Sequence, residues 1–308
     1  LSSWAHLYLA SAMSGESVGR REASRRWTVL LTSLAFAALL GAAAAQVAPP
    51  GDGAPPDVPR EYIEQYRRLG GDRLRFCVYP HGLTGELDRE VALAVADALL
   101  VEAEIYEVDS MIKVPGLSTI PISEDELFVH LTNNCDAFLG FTLGTGLYDP
   151  WLTASRPYVR TRFVAVTLGE DLRRLGELPP RAIVGTEMLT EGDAQVGAYL
   201  RSLPEERQWR RFPYPHAPLL MERLADGTVD VAVAWEPAVL FAAAQQGLEV
   251  EVLAPDPVSL PLREVGMVMR SDQLFVRDAV DSAIAVLAAD GTLAAILERV
   301  GFPGSVPR

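Results

Sequence analysis

The sequence predicts an α/β protein of two similar lobes, each a mostly parallel sheet flanked by helices. Three observations predict it. Strand-like and helix-like segments alternate along the chain, and the alternation occurs twice. Several strand segments are continuous apolar runs, the mark of strands covered on both faces. The chain has 308 residues and is 49% hydrophobic, enough to fill more than one core.

The first alternation opens with a β-rich run over 73–79. Asp88 to Leu100 carries Val91, Val95 and Leu99 on one face behind an Asp N-cap, and predicts an amphipathic helix. A short strand over 104–108, a helix over 125–131 and a buried strand over 136–141 complete it. The second alternation places strands at 162–167 and 181–186 and a helix over 191–203, weakened by Gly192 and Gly197. A helix over 216–227 closed by Gly227, a buried strand at 229–235, a helix over 237–246 and a strand at 265–270 follow. Two helices end the chain. The first, over 277–289, is apolar at Val280, Ile284 and Leu287. The second, over 292–300, is apolar at Leu293, Ile296, Leu297 and Val300, and Gly301 is its stop.

Ahead of these elements, Trp27 to Ala45 is an apolar run ending in small residues, preceded by Arg20, Arg21, Arg25 and Arg26. That is the pattern of a signal peptide over 1–45, with a retained membrane anchor as the alternative. The expectation is an exported, periplasmic protein with no membrane span once the signal is cleaved. Residues 46–72 begin as a Pro/Gly-rich linker, "QVAPPGDGAPPDVPR".

Charge narrows the partners. The chain has 27 basic and 41 acidic residues, a net of -14, and Lys113 is its only lysine. Such a chain repels phosphate backbones, so nucleic acid is excluded as a partner class. His6, His81, His130 and His216 are scattered without metal-ligand spacing, and no dinucleotide or nucleotide fingerprint is present, so neither metal nor cofactor is expected. Cys77 and Cys135 are too few for a structural zinc site and too far apart for a redox pair. In an oxidising compartment a disulfide is the natural reading, with two buried free thiols as the alternative.

The segments "GELDREVALAVADALL", "CDAFLGFTLGTGLYDPWLTASRPY", "DGTVDVAVAWEPAVLFAA" and "LAADGTLAAILERVGFP" occur in an order that resembles the type II periplasmic solute-binding proteins, solute-binding family 3. The resemblance covers about residues 73–303. It implies a two-lobed periplasmic-binding-protein-like fold with a cleft between the lobes. Lobe 1 would comprise 73–161 plus 264–303 and lobe 2 would comprise 162–263, leaving 304–308 as a tail.

Ligands in open parallel sheets bind beyond the carboxyl ends of the strands. The cleft candidates are therefore Tyr79, Thr142, Gly144, Thr145, Tyr148, Thr186, Glu187, Trp235 and Glu236. Each has a blander reading. Trp235 and Tyr79 are equally suited to packing, and the threonines to satisfying loop backbone. Thr186 and Glu187 precede a helix whose N–H groups could take an anion, which Glu187 would oppose. The resemblance implies an arginine in the loop after the first-lobe glycine strand, gripping a ligand carboxylate. No arginine or lysine occurs from Phe141 to Ser155. Glu236 would supply the anionic half alone, which favours a cationic or neutral solute or no small ligand, and a structural arginine such as Arg156 is as good a partner for it as a ligand.

Cysteines in "RFCVYP" and "NNCDAFLGF", with "YDPWLTASRPYVRTRFVAV" and "VAVAWEP", resemble the J-type branch (MxaJ and XoxJ) that accompanies PQQ-dependent methanol dehydrogenases. That resemblance implies a non-catalytic partner of a periplasmic quinoprotein dehydrogenase. If the two cysteine strands are neighbours, their separation suits a disulfide. A receptor passing a small polar or cationic solute to an ABC permease is the alternative. A third reading is a cyclohexadienyl-dehydratase-like enzyme with Glu86, Asp149, Glu187 and Glu236 as acid–base candidates, against which the missing arginine counts.

Overall fold

The structure is a computed structural model that describes residues 72–109, 118, 120–144, 149–169 and 171–307. The expected signal peptide 1–45, all but the last residue of the 46–72 segment, and Thr145 and Tyr148 lie outside the described residues.

The chain folds as a two-lobed α/β protein. In the first lobe, β1 (Arg73–Val78), α1 (Gly85–Ala98), β2 (Glu102–Glu107), α2 (Glu124–Asn133) and β3 (Ala137–Leu143) follow one another. β4 (Leu152–Ala154) precedes the long β5 (Val159–Thr167). In the second lobe, β6 (Ile183–Glu187), α3 (Glu191–Ser202), β7 (Arg210–Tyr214), α4 (Ala217–Ala225), β8 (Val231–Trp235), α5 (Glu236–Gln246) and β9 (Glu251–Leu253) repeat the pattern. β10 (Leu262–Arg270) returns to the first lobe, and α6 (Leu274–Ala289) and α7 (Thr292–Val300) pack there on α1. Their buried residues include Val280, Ile284, Leu287, Leu293, Ile296 and Leu297, the residues whose helical spacing predicts them.

Strand order makes the two lobes alike. The first sheet runs β2-β1-β3-β10-β4, with β1 parallel to β2 and β3 and with β10 antiparallel to β3 and β4. The second runs β7-β6-β8-β5-β9, with β6 parallel to β7 and β8 and with β5 antiparallel to β8 and β9. Each lobe thus receives one antiparallel strand from a connection between the lobes. These two crossover strands pair with each other at Leu262↔Arg162, Arg263↔Thr161, Glu264↔Arg160 and Val265↔Val159. They form the hinge. Ion pairs hold its outer face: Arg160 Nη2 lies 2.5 Å from Glu264 Oε1, and Arg162 Nη2 lies 2.7 Å from Glu236 Oε1. Ser305 exchanges two 2.8 Å backbone hydrogen bonds with Arg160, so the C-terminal segment lies across the hinge.

Three strands go beyond the sequence expectation. β4 and β9 are three residues long, too short to show a period. β7 contains Pro213, and it forms at the sheet edge, where a missing N–H is tolerated. The two cysteines form a disulfide with a Cα–Cα distance of 5.5 Å, joining β1 to the residue pair that leads into β3. It sits in a small core with Val108, Leu127, Leu131, Phe138 and Val268. Among the described residues no single helix is long and apolar enough to cross a membrane.

Candidate functional site

The ends of β6 and β8, the root of α3 and the hinge strands meet where the lobes face each other. Arg263 stands at the centre of this region. It is on β10, opposite Thr161, and only 4% exposed. Period 2 along β10 puts it on the same side as the buried Val265, Met267 and Met269, while its neighbour Leu262 is 63% exposed. A charge is turned in and an apolar side chain is turned out.

An arginine buried this way needs partners, because desolvating a charge costs several kcal/mol. Its Nη1 donates to the Ser118 carbonyl at 2.8 Å, and its Nη2 donates to Glu191 Oε2 at 3.3 Å. Its guanidinium carbon lies 5.0 Å from the Trp235 ring centroid and 5.1 Å from that of Phe163, distances at which ring faces attract cations. Its Nε has no hydrogen-bond partner among the described residues. Burial lowers its pKa, and Glu191 and Glu187 oppose that shift.

Glu187 ends β6 and is buried. It accepts a 2.7 Å hydrogen bond from the Ser118 hydroxyl. Burial pushes its pKa up, while Ser118 and the Arg263 charge pull it down. Ser118 belongs to the first-lobe connection between β2 and α2, and Glu187 belongs to the second lobe. Ser118 therefore bridges the lobes: its carbonyl accepts from Arg263 and its hydroxyl donates to Glu187.

The other predicted residues fall in several places. Trp235 is buried, and its Nε1 donates to Thr161 Oγ1 at 2.6 Å, so the ring packs at the hinge beside Arg263. Thr186 is buried, but its hydroxyl donates to Asp193 Oδ1 at 2.5 Å, on the α3 side. Glu236 accepts both Nε and Nη2 of Arg162 on the outer side of the hinge. It lines a shallow cavity of about 300 Å³ with Arg160, Arg162, Leu262 and Ser305. Tyr79 is buried and its ring stands edge-on to His81. Thr142 is half-buried on β3 opposite Val265, and Gly144 is exposed just beyond β3. Of the predicted set, Glu187 and Trp235 meet at the centre. Sequence reasoning missed Arg263 and Ser118.

A second buried carboxyl lies in the first lobe. Asp88 on α1 is 1% exposed and accepts from Thr84 Oγ1 at 2.7 Å and from the Tyr158 hydroxyl. The Tyr158 oxygen accepts the Gly140 N–H at 2.9 Å. Burial raises the Asp88 pKa to about 7, against the lowering effect of both hydroxyls. Burial and the adjacent carboxyl hold Tyr158 well above the usual tyrosine range. Through these two hydroxyls and one backbone N–H the cluster ties α1, β3 and the start of the hinge together. Among the described residues no group of three His, Cys, Asp or Glu side chains is placed to hold a metal.

No protein-family model matches the sequence, and no curated protein matches it either. Solved structures do share its fold. The second substrate-binding domain of a putative amino acid ABC transporter from Streptococcus pneumoniae superposes with a TM-score of 0.53 at 16% identity, over 73% of this chain and 97% of that one. Tv2483, solved with L-arginine bound, superposes with a TM-score of 0.50 at 15% identity, over 76% of this chain and 93% of that one. At such identities the likeness concerns the fold: two-lobed and of the periplasmic-binding-protein type.

Proposed function

We propose that this chain is an exported, non-catalytic solute-binding protein that takes a small polar solute between its lobes and serves an ABC permease in the periplasm. One observation carries the reading: Arg263 and Glu187, opposite in charge and both buried, come together through Ser118 where the lobes meet, with an aromatic ring beside them. A desolvated polar solute needs such a pair, a fork of donors at one end and an acceptor at the other. The neighbours with this fold include substrate-binding domains of amino acid ABC transporters, which supports the receptor role. The cation absent from the loop after β3 is supplied here from the returning crossover strand. That removes the sequence-based reason for preferring a cationic solute.

The accessory reading has one observation in its favour. The disulfide between β1 and the lead-in to β3 joins the two cysteines that are one part of the likeness to the J-type branch. In that reading the protein binds a periplasmic quinoprotein dehydrogenase.

A thermal-shift screen of amino acids, organic acids, polyamines and alcohols separates the two. A receptor gains stability from its solute by mass action. The expected result is an upward shift with one solute class, lost in Arg263→Gln and in Glu187→Gln and kept in Glu236→Gln. No shift with any solute, together with capture of a purified quinoprotein dehydrogenase by the chain, would overturn the receptor reading.

A further inference from the structure

Ser118 makes both of the bonds that a solute at this site would make. Its carbonyl oxygen accepts from the Arg263 fork at 2.8 Å. Its hydroxyl donates to Glu187 at 2.7 Å. The acceptor is on the carbonyl carbon and the donor on Cβ, with Cα between them, the spacing of a carboxyl and a 3-hydroxyl in a 3-hydroxy acid. Ser118 is buried, so no water competes for these bonds at the surface. The fork is nevertheless incomplete. Arg263 Nε is bare among the described residues, and Nη2 reaches Glu191 at only 3.3 Å. A backbone carbonyl offers one oxygen, whereas a carboxylate offers two and fits a guanidinium through two donors.

We propose that Ser118 is a built-in occupant of the subsite formed by Arg263 and Glu187, so that a solute carrying a carboxylate and a hydroxyl or ammonium on its 3-carbon binds there by displacing it. This rests on the solute-binding reading and deepens it. The occupant fills the lobe-bridging position without a ligand, so the free chain holds its lobes together. The apparent affinity for solute is lowered by the fraction of chains in which Ser118 stays in place. The bare Nε gives a carboxylate an advantage that Ser118 lacks. Ser118 thereby sets selectivity as well as affinity, because solutes that cannot use the second donor gain nothing by replacing it.

Two variants of the full chain test this. Ser118→Gly removes the hydroxyl that holds Glu187, and Ser118→Asp sets a carboxylate against Glu187. Calorimetry with 3-hydroxybutyrate and β-alanine, and with L-lactate, glycolate and each L-amino acid for comparison, reads the affinity. Spin labels on Glu104→Cys and Glu206→Cys read the inter-lobe distance; both positions are exposed, and the native cysteines are locked in their disulfide. The expected result is at least tenfold tighter binding of one solute to Ser118→Gly than to the wild type, with a broader distance distribution in both unliganded variants. If one of these solutes binds the wild type as tightly as it binds Ser118→Gly, Ser118 does not compete, and the inference falls while the receptor reading stands. If distances broaden but no solute binds any of the chains, Ser118 is a lobe-bridging contact only, and both the displacement by solute and the receptor reading fall. If nothing binds and nothing moves, both fall.

Discussion

The buried carboxyl of Asp88 makes stability depend on pH in an unusual direction. Asp88 is enclosed by α1, β3 and the start of β5, and its hydrogen-bond partners are the hydroxyls of Thr84 and Tyr158 rather than a cation. Its folded pKa is about 7, above the ordinary value of 3.8. Between those values the folded state holds a proton that the unfolded state has released. Stability is therefore greatest below about pH 4, falls as the pH rises towards 7, and is flat above that for this group. The gap between 3.8 and about 7 corresponds to about 4 kcal/mol at 1.36 kcal/mol per pH unit, an upper limit because local hydration relieves part of it. Asp88→Asn isolates the effect. The amide oxygen keeps the bond from Tyr158, and the amide N–H can turn to Thr84. Urea unfolding of wild type and variant at pH 4, 5.5 and 7.5 should show the variant gaining on the wild type by several kcal/mol across that range. Differences between the two curves, not the curves themselves, are the readout, because the other carboxylates titrate in both chains. Parallel curves would refute the reasoning: Asp88 would then be ionised in the folded state and stabilised by its hydroxyl partners.

Three further outcomes follow from the same structure. Reducing the disulfide opens a loop spanning 58 positions, and the chain-entropy relation puts the loss at about 4 kcal/mol, read as a lower denaturant midpoint for Cys77→Ala/Cys135→Ala. Gly140 has φ +85°, and a Cβ there would lie 2.7 Å from Asp88 Oδ2, so Gly140→Ala should cost roughly 2 kcal/mol or more and flatten the pH dependence just described. The Arg162–Glu236 pair is half open to water on the arginine side, so Glu236→Gln should change stability by no more than about 1 kcal/mol in urea titrations.

Much of the fold was legible because its signals are local. Continuous apolar runs became central strands, and the spacing of Val280, Ile284, Leu287, Leu293, Ile296 and Leu297 became the buried faces of α6 and α7. The helix after β1 starts earlier than its Asp88 suggested. Its N-cap is Thr84, and Asp88 is turned inward to Tyr158 instead of capping. An acidic residue near a helix start has two physical uses, and the sequence does not say which applies. β7 lost its signal to Pro213, and β4 and β9 lost theirs to length.

The site was less legible because its charges are brought together by the crossovers. Sequence reasoning looked for a cation in the loop after β3 and found none, which left Glu236 with either a ligand or a structural arginine as its partner. The partner is Arg162, set directly across the hinge on β5. The buried cation is Arg263, on a strand whose sequence expectation began only at Val265. A signal for it did exist. Extending the period of Val265, Met267 and Met269 back by one step lands on Arg263, and an arginine on the apolar side of a central strand is there for a partner. For Ser118 no such signal exists, since a single serine in a connection without periodicity carries none. Its contacts are with Glu187 at the end of β6 and Arg263 on β10, residues far from it in sequence. Contacts at the hinge thus form two layers. Exposed ion pairs on the outer face can exchange with water. On the inner face Arg263 and Glu187 are buried, and Ser118 bonds to both.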